Sequence, residues 1–128
     1  MTRFLAGLLA AILGANALVQ LAVPFWWYGM VPGAAATGPF NPHFVRDVGA
    51  AYLVTAAGLA AFAWNPRQAW PALAAGAAFL TLHAGIHVFD ALCGVRPLAD
   101  TLRDAPGVHL TALIALVLLA RSPAFERR

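Results

Sequence analysis

Two histidines and an aspartate, His83, His87 and Asp90, fall at positions i, i+4 and i+7 of one otherwise apolar stretch. On a helix that spacing puts all three on one face. A pair of imidazoles four apart can chelate one ion, and a carboxylate one turn further on can complete an N/O ligand set suited to Zn, Fe, Cu or Mn. The same residues fit two other chemistries. Histidines on different helices can ligate a haem b, although neighbours on one helix cannot serve as its opposite axial ligands. A His/Asp pair, such as His87 with Asp90 or Asp47, can also move a proton to or from a small lipophilic substrate.

The composition says where such a face would lie. Of 128 residues, 62% are hydrophobic and 10% charged, whereas an ordinary soluble domain carries about 25% charged residues. The chain therefore reads as an integral membrane protein. An ionisable side chain at mid-bilayer costs about 2.5 to 3.5 kcal/mol, so such groups usually line a site or a proton path. Eight basic residues, all Arg, give a net charge of +3. They are dispersed without runs or interleaved surface aromatics, which argues against nucleic acid as a partner. The single cysteine, Cys93, cannot form an intrachain disulfide and belongs to no CxxC pair.

A helix needs about 20 residues to cross a hydrocarbon core of roughly 30 Å. Four segments meet that length or approach it, 4–23, 43–64, 69–92 and 102–120. The expected fold is an all-α polytopic four-helix bundle, one transmembrane domain over 1–128. The N-terminal stretch, with Ala15-Asn16-Ala17 after an apolar run, also has the look of a signal peptide. Its apolar character continues to Val23 and ends in Phe25-Trp26-Trp27-Tyr28, as a spanning helix with an interfacial aromatic belt does. It is kept as the first span. Arg3, Arg67, Arg121, Arg127 and Arg128 fall on one side of this topology, offset by Glu126; Arg46, Arg96 and Arg103 fall on the other with Asp47, Asp90, Asp100 and Asp104. The positive-inside rule then predicts cytoplasmic termini.

Overlaid on this topology, the polar residues gather at one end. Asn16 and Gln20 close the first span, His43, Arg46 and Asp47 open the second, His83, His87 and Asp90 close the third, and His109 lies early in the fourth. All nine fall in the outer half. Asn16, His83 and His109 sit one to two turns inside their spans and need internal partners. The rest can snorkel to the headgroups, and Arg46 can form a structural ion pair with Asp47 or Asp90. His83, His87 and Asp90 are the metal candidates, and His43 and His109 the histidines on other spans available to a cofactor. Which pair would oppose one another across a haem is left open by the sequence.

The runs Asn41-Pro-His-Phe-Val-Arg-Asp-Val-Gly and Leu82-His83-Ala-Gly-Ile-His87-Val-Phe-Asp90 resemble small four-helix bacterial membrane proteins of the DoxX-like kind. The resemblance implies an inner-membrane bundle associated with redox or thiol-stress partners. One cysteine is too few for thiol exchange within the chain. The expected function is an outward-facing His/Asp/Arg site that binds a divalent metal or haem b in a redox or accessory role. The alternatives are an accessory subunit without ligand that pairs with a membrane partner or a second copy, and a membrane-embedded enzyme. A transporter or channel would need an oligomer, because four short helices enclose little space.

Overall fold

A computed structural model describes residues 1–124. Their chain order is α1 (Thr2–Ala22), α2 (Pro24–Met30), a 3-10 turn (Ala34–Thr37), α3 (Pro42–Trp64), α4 (Pro66–Leu92), α5 (Leu98–Asp104), a π-helical turn (Ala105–His109) and α6 (Leu110–Ala120). No strand occurs among the described residues. Four helices are long and apolar enough to cross a membrane: α1, α3, α4, and the continuous run Leu98–Ala120 formed by α5, the π turn and α6. The fourth therefore begins before the expected residue 102. Glu126, Arg127 and Arg128, which enter the charge count above, lie outside the described residues.

Local chemistry accounts for the helix starts. Both α3 and α4 begin Asn-Pro. The Asn41 side chain accepts from the His43 and Phe44 amides at 3.0 and 3.2 Å, and Asn65 accepts from the Gln68 amide at 3.4 Å. The proline that follows each cap needs no amide partner and has its φ set for the first turn. Asn65 also ends α3, its amide donating to Ala61 O at 2.8 Å, so one residue turns the chain between two spans. The segment from 24 to 42, which joins the first two spans, opens with the short helix α2. Asn16 holds that helix against α1 by accepting from Trp27 Nε1 at 2.8 Å.

The bundle is built outward from the antiparallel pair α1 and α3. Small residues recur at sevens on both: Gly7 faces Ala63, Gly14 faces Ala56, and Gly49 faces Gln20 and Ala17. In lipid, association depends on such close backbone approach, since no hydrophobic gain distinguishes helix from acyl chain. Both ends of the pair are closed by arginine. Arg3 donates from Nε to Ala63 O at 2.7 Å and from Nη2 to Trp64 O at 2.9 Å. Arg46 donates from Nε to Leu21 O at 3.2 Å. Each thus satisfies carbonyls that the last turn of the partner helix leaves open. On the other flank α4 packs on α3, with Gly76 against Thr55 and Gly58 against Ala72, and α6 packs on α4. The core comprises Leu9, Leu13, Leu59, Phe62, Leu73, Leu80 and Leu118 among others.

The contacts at the glycines separate tolerated from untolerated change. A Cβ at Gly49 would stand 2.8 Å from Gln20 Cβ and 3.3 Å from Ala17 O, whereas one at Gly7 would meet Ala63 Cβ at an ordinary 3.8 Å. Gly49→Ala is expected to cost about 1 to 3 kcal/mol, the usual penalty of overpacking, and Gly7→Ala to lie within about 0.5 kcal/mol of the parent. Unfolding of detergent-solubilised protein, followed by far-ultraviolet circular dichroism, measures both.

Candidate functional site

The end of the bundle opposite the termini carries a ladder of aromatic and imidazole rings. Phe79, His83 and His87 project from successive turns of α4, and His109 faces them from the π turn. Phe79 and His83 stack at 5.9 Å and 20°, His83 and His87 meet edge to face at 5.0 Å, and His87 and His109 do so at 6.2 Å and 86°. Tyr52 of α3 closes the inner side, its ring 5.7 Å from His83 and 5.3 Å from Phe79. A π turn widens the helix by one residue and is a frequent mark of functional sites. It lies at Ala105–His109, the stretch that joins Asp104 to His109.

His87 has a carboxylate partner, Asp104, with Nδ1 to Oδ2 at 3.1 Å. An ionised carboxylate can only accept, so Nδ1 carries the proton and Nε2 is left as the basic nitrogen. The two side chains are 26% and 13% exposed, shielded enough for the pair to be held rather than dissolved in solvent. Thr101 Oγ1 donates to His87 O at 3.3 Å and helps to fasten α5 to α4.

Asp104 is itself held. Arg103 donates to Asp104 Oδ1 at 2.9 Å and to Asp100 Oδ1 at 2.8 Å. Arg96 donates to Asp100 Oδ2 at 2.6 Å and to Ala36 O at 2.8 Å. This chain of charge-assisted bonds runs from the connection after α2 to His87. Gly33 sits against the Arg103 guanidinium with φ +85°, a left-handed conformation that glycine adopts without strain. The carboxylate that orients His87 therefore has a fixed position, set by two arginines and one loop.

Of the residues singled out from sequence, His83, His87 and His109 are brought together, and Gln20 is buried against Gly49 of α3. Asp90 is not part of the constellation. Its carboxylate makes no hydrogen bond or ion pair among the described residues, and its carbonyl accepts from the Val95 and Arg96 amides where the chain leaves α4. No group of three or more His, Cys, Asp or Glu side chains among the described residues is placed to hold a metal ion. The set His83, His87 and Asp90 is thus not assembled as a ligand cage. Among the described residues the His43 and Asp47 side chains pair only with each other, at 3.4 Å and 86% and 65% exposed. Arg46 caps α1 instead of pairing with Asp47 or Asp90.

The residues that sequence reasoning missed are Asp104 and Tyr52. Asp104 stands seventeen positions from His87 and on another helix, so no helical period relates them. Tyr52 is one apolar-looking position of an apolar span, and only the pairing of α3 with α4 brings it to His83.

Among the described residues three buried side chains lack a protein partner: Gln20, His109 and, at the other end of the bundle, Ser122 through its Oγ. Gln20 is 0% exposed, and neither Oε1 nor Nε2 of its amide is hydrogen-bonded; His109 Nε2 is also buried and unpaired. An unsatisfied polar atom of this kind costs about 1 to 3 kcal/mol. An open apolar groove between α3 and α4, lined by Ala50, Val54, Gly58, Ala75 and Phe79 among others, lies beside the ladder and contributes no ionisable group to it.

Comparison with protein-family models, with curated proteins and with solved structures finds no match to this chain. Its chemistry is therefore argued from its own geometry. A double-mutant cycle of Asp104→Asn and His87→Ala in detergent is expected to give a coupling of about 1 to 2 kcal/mol. A coupling near zero would mean that the pair holds nothing.

Proposed function

We propose that this protein is a multi-pass protein of a bacterial inner membrane, with both termini cytoplasmic, that carries an acid–base site in the outer half of its bundle. The observation that carries this reading is the His87–Asp104 contact at 3.1 Å. A carboxylate on one imidazole nitrogen fixes the tautomer and leaves the other nitrogen free to accept a proton, the arrangement that acid–base sites use. His87 Nε2 takes the proton of an O–H group on a small lipophilic substrate, or of outside water, and becomes an imidazolium beside Asp104. Returning the proton restores the pair. The orientation rests on the distribution of Arg in the sequence. The resemblance to DoxX-like proteins supports the inner-membrane location and a redox-associated setting.

A second reading has its own observation. His87 and His109 come from different helices, their rings lie 6.2 Å apart, and His109 Nε2 is buried without a protein partner. Two imidazoles ligating one metal from opposite sides put their ring centres about 6 Å apart, given metal–nitrogen bonds near 2.0 Å. That pair is the cross-helix candidate for a haem iron or a two-coordinate metal ion.

One purified sample separates the two. Under the acid–base reading the detergent-solubilised protein is colourless and free of stoichiometric metal. Diethyl pyrocarbonate then acylates His87 Nε2, and Asp104→Asn slows that acylation roughly tenfold, the factor carried by 1.4 kcal/mol. A Soret band, or one metal per chain lost in His87→Ala and His109→Ala, transfers the site to ligand binding. An acylation rate indifferent to Asp104→Asn removes the acid–base reading.

A further inference from the structure

The mechanism above uses the mouth of the ladder and leaves its inner end unexplained. Three side chains from three helices bear on it, none hydrogen-bonded to another. Gln20 of α1 is 0% exposed, with both amide atoms unpaired. Tyr52 of α3 is 6% exposed, and His83 of α4 touches its ring at 5.7 Å. Gly49 links the first to the second. It lies directly against Gln20, where a Cβ would come within 2.8 Å of Gln20 Cβ, and Tyr52 follows it by three residues on the same face of α3. Three residues of helix rise about 4.5 Å. A single water bridges polar atoms up to roughly 5.6 Å apart, twice an ordinary hydrogen-bond length.

We propose that Gln20, Tyr52 and His83 form an internal hydration site, in which ordered water pairs the Gln20 amide and joins it to Tyr52 and His83. The proposal deepens the acid–base reading and rests on it for its role. Water is the ligand that the chemistry selects. An amide with a free donor and a free acceptor needs a partner that both donates and accepts, and water is the smallest that does so. From Gln20 the polar column continues through His83, 5.0 Å from His87, to Asp104. Proton exchange at His87 thereby reaches the interior of the bundle instead of stopping at its mouth. The other groups facing the column are His109, across from His87, and Arg103, which shares Asp104.

The test is water-edited solid-state NMR on full-length protein in phosphatidylcholine vesicles, with Gln side chains labelled with ¹⁵N. Magnetisation is expected to pass from water to the Gln20 side-chain amide, and to be lost selectively in Gln20→Leu, which keeps the volume and removes the polar atoms. Tyr52→Phe is expected to weaken the transfer while leaving the fold intact. No transfer to Gln20, together with a higher unfolding midpoint for Gln20→Leu, overturns the proposal, because that is the behaviour of an amide buried with nothing bound. Acylation of His87 reports separately on the acid–base reading. Transfer to Gln20 combined with Asp104-independent acylation keeps the hydration site and discards the acid–base role. Asp104-dependent acylation without transfer does the reverse.

Discussion

Everything at the polar end of this bundle depends on how closely α1 and α3 approach. Small residues at sevens on both helices bring the two backbones together, and the arginine near the start of each helix covers the open carbonyls at the end of the other. The pairing is reciprocal, so a shift in register would break the small-residue contacts and both caps at once. In a medium that offers no water to stray carbonyls, that double requirement holds the register firmly. Gln20 is carried with it into the core beside Gly49, and Tyr52 is aimed across at α4.

The polar residues divide by what they satisfy. Asn16, Asn41, Asn65, Arg3 and Arg46 complete backbone or indole hydrogen bonds that hold helix ends and starts in place. His87 and Asp104 satisfy each other while leaving a basic nitrogen, and Arg96, Arg103 and Asp100 hold the carboxylate in place. His83, His109 and Gln20 retain unpaired donors or acceptors. A cluster in which some members are rigidly held and others are left unsatisfied differs from a purely structural network, where each group is matched. That contrast, rather than the number of histidines, makes this end of the molecule the candidate site.

The π turn decides which helix contributes. A regular helix through Ala105–His109 would rotate His109 relative to Asp104 by a different amount, and the added residue per turn lets both face α4. Pro106 and Gly107 lie within this turn. Proline lacks an amide donor and glycine lacks a side chain, so the regular hydrogen-bond pattern is weakest there.

Much of the architecture was legible from order and composition. Apolar runs of spanning length and the gathering of Asn, Gln and His toward one end follow from properties of single segments, because hydropathy is set within each segment. The i, i+4 relation of His83 and His87 was likewise visible. The partners were not. Asp90 stood at the right helical spacing, yet the chain turns away from α4 just beyond it, and Asp104 on a later helix takes the place beside His87. Arg46 and Asp47 looked like members of a charged site, but a guanidinium at that height finds the bare carbonyl of Leu21 nearer than any carboxylate of the cluster. Spacing along one helix determines which residues share a face; only the packing of helices decides what that face meets, because contacts between helices carry no fixed period in the sequence.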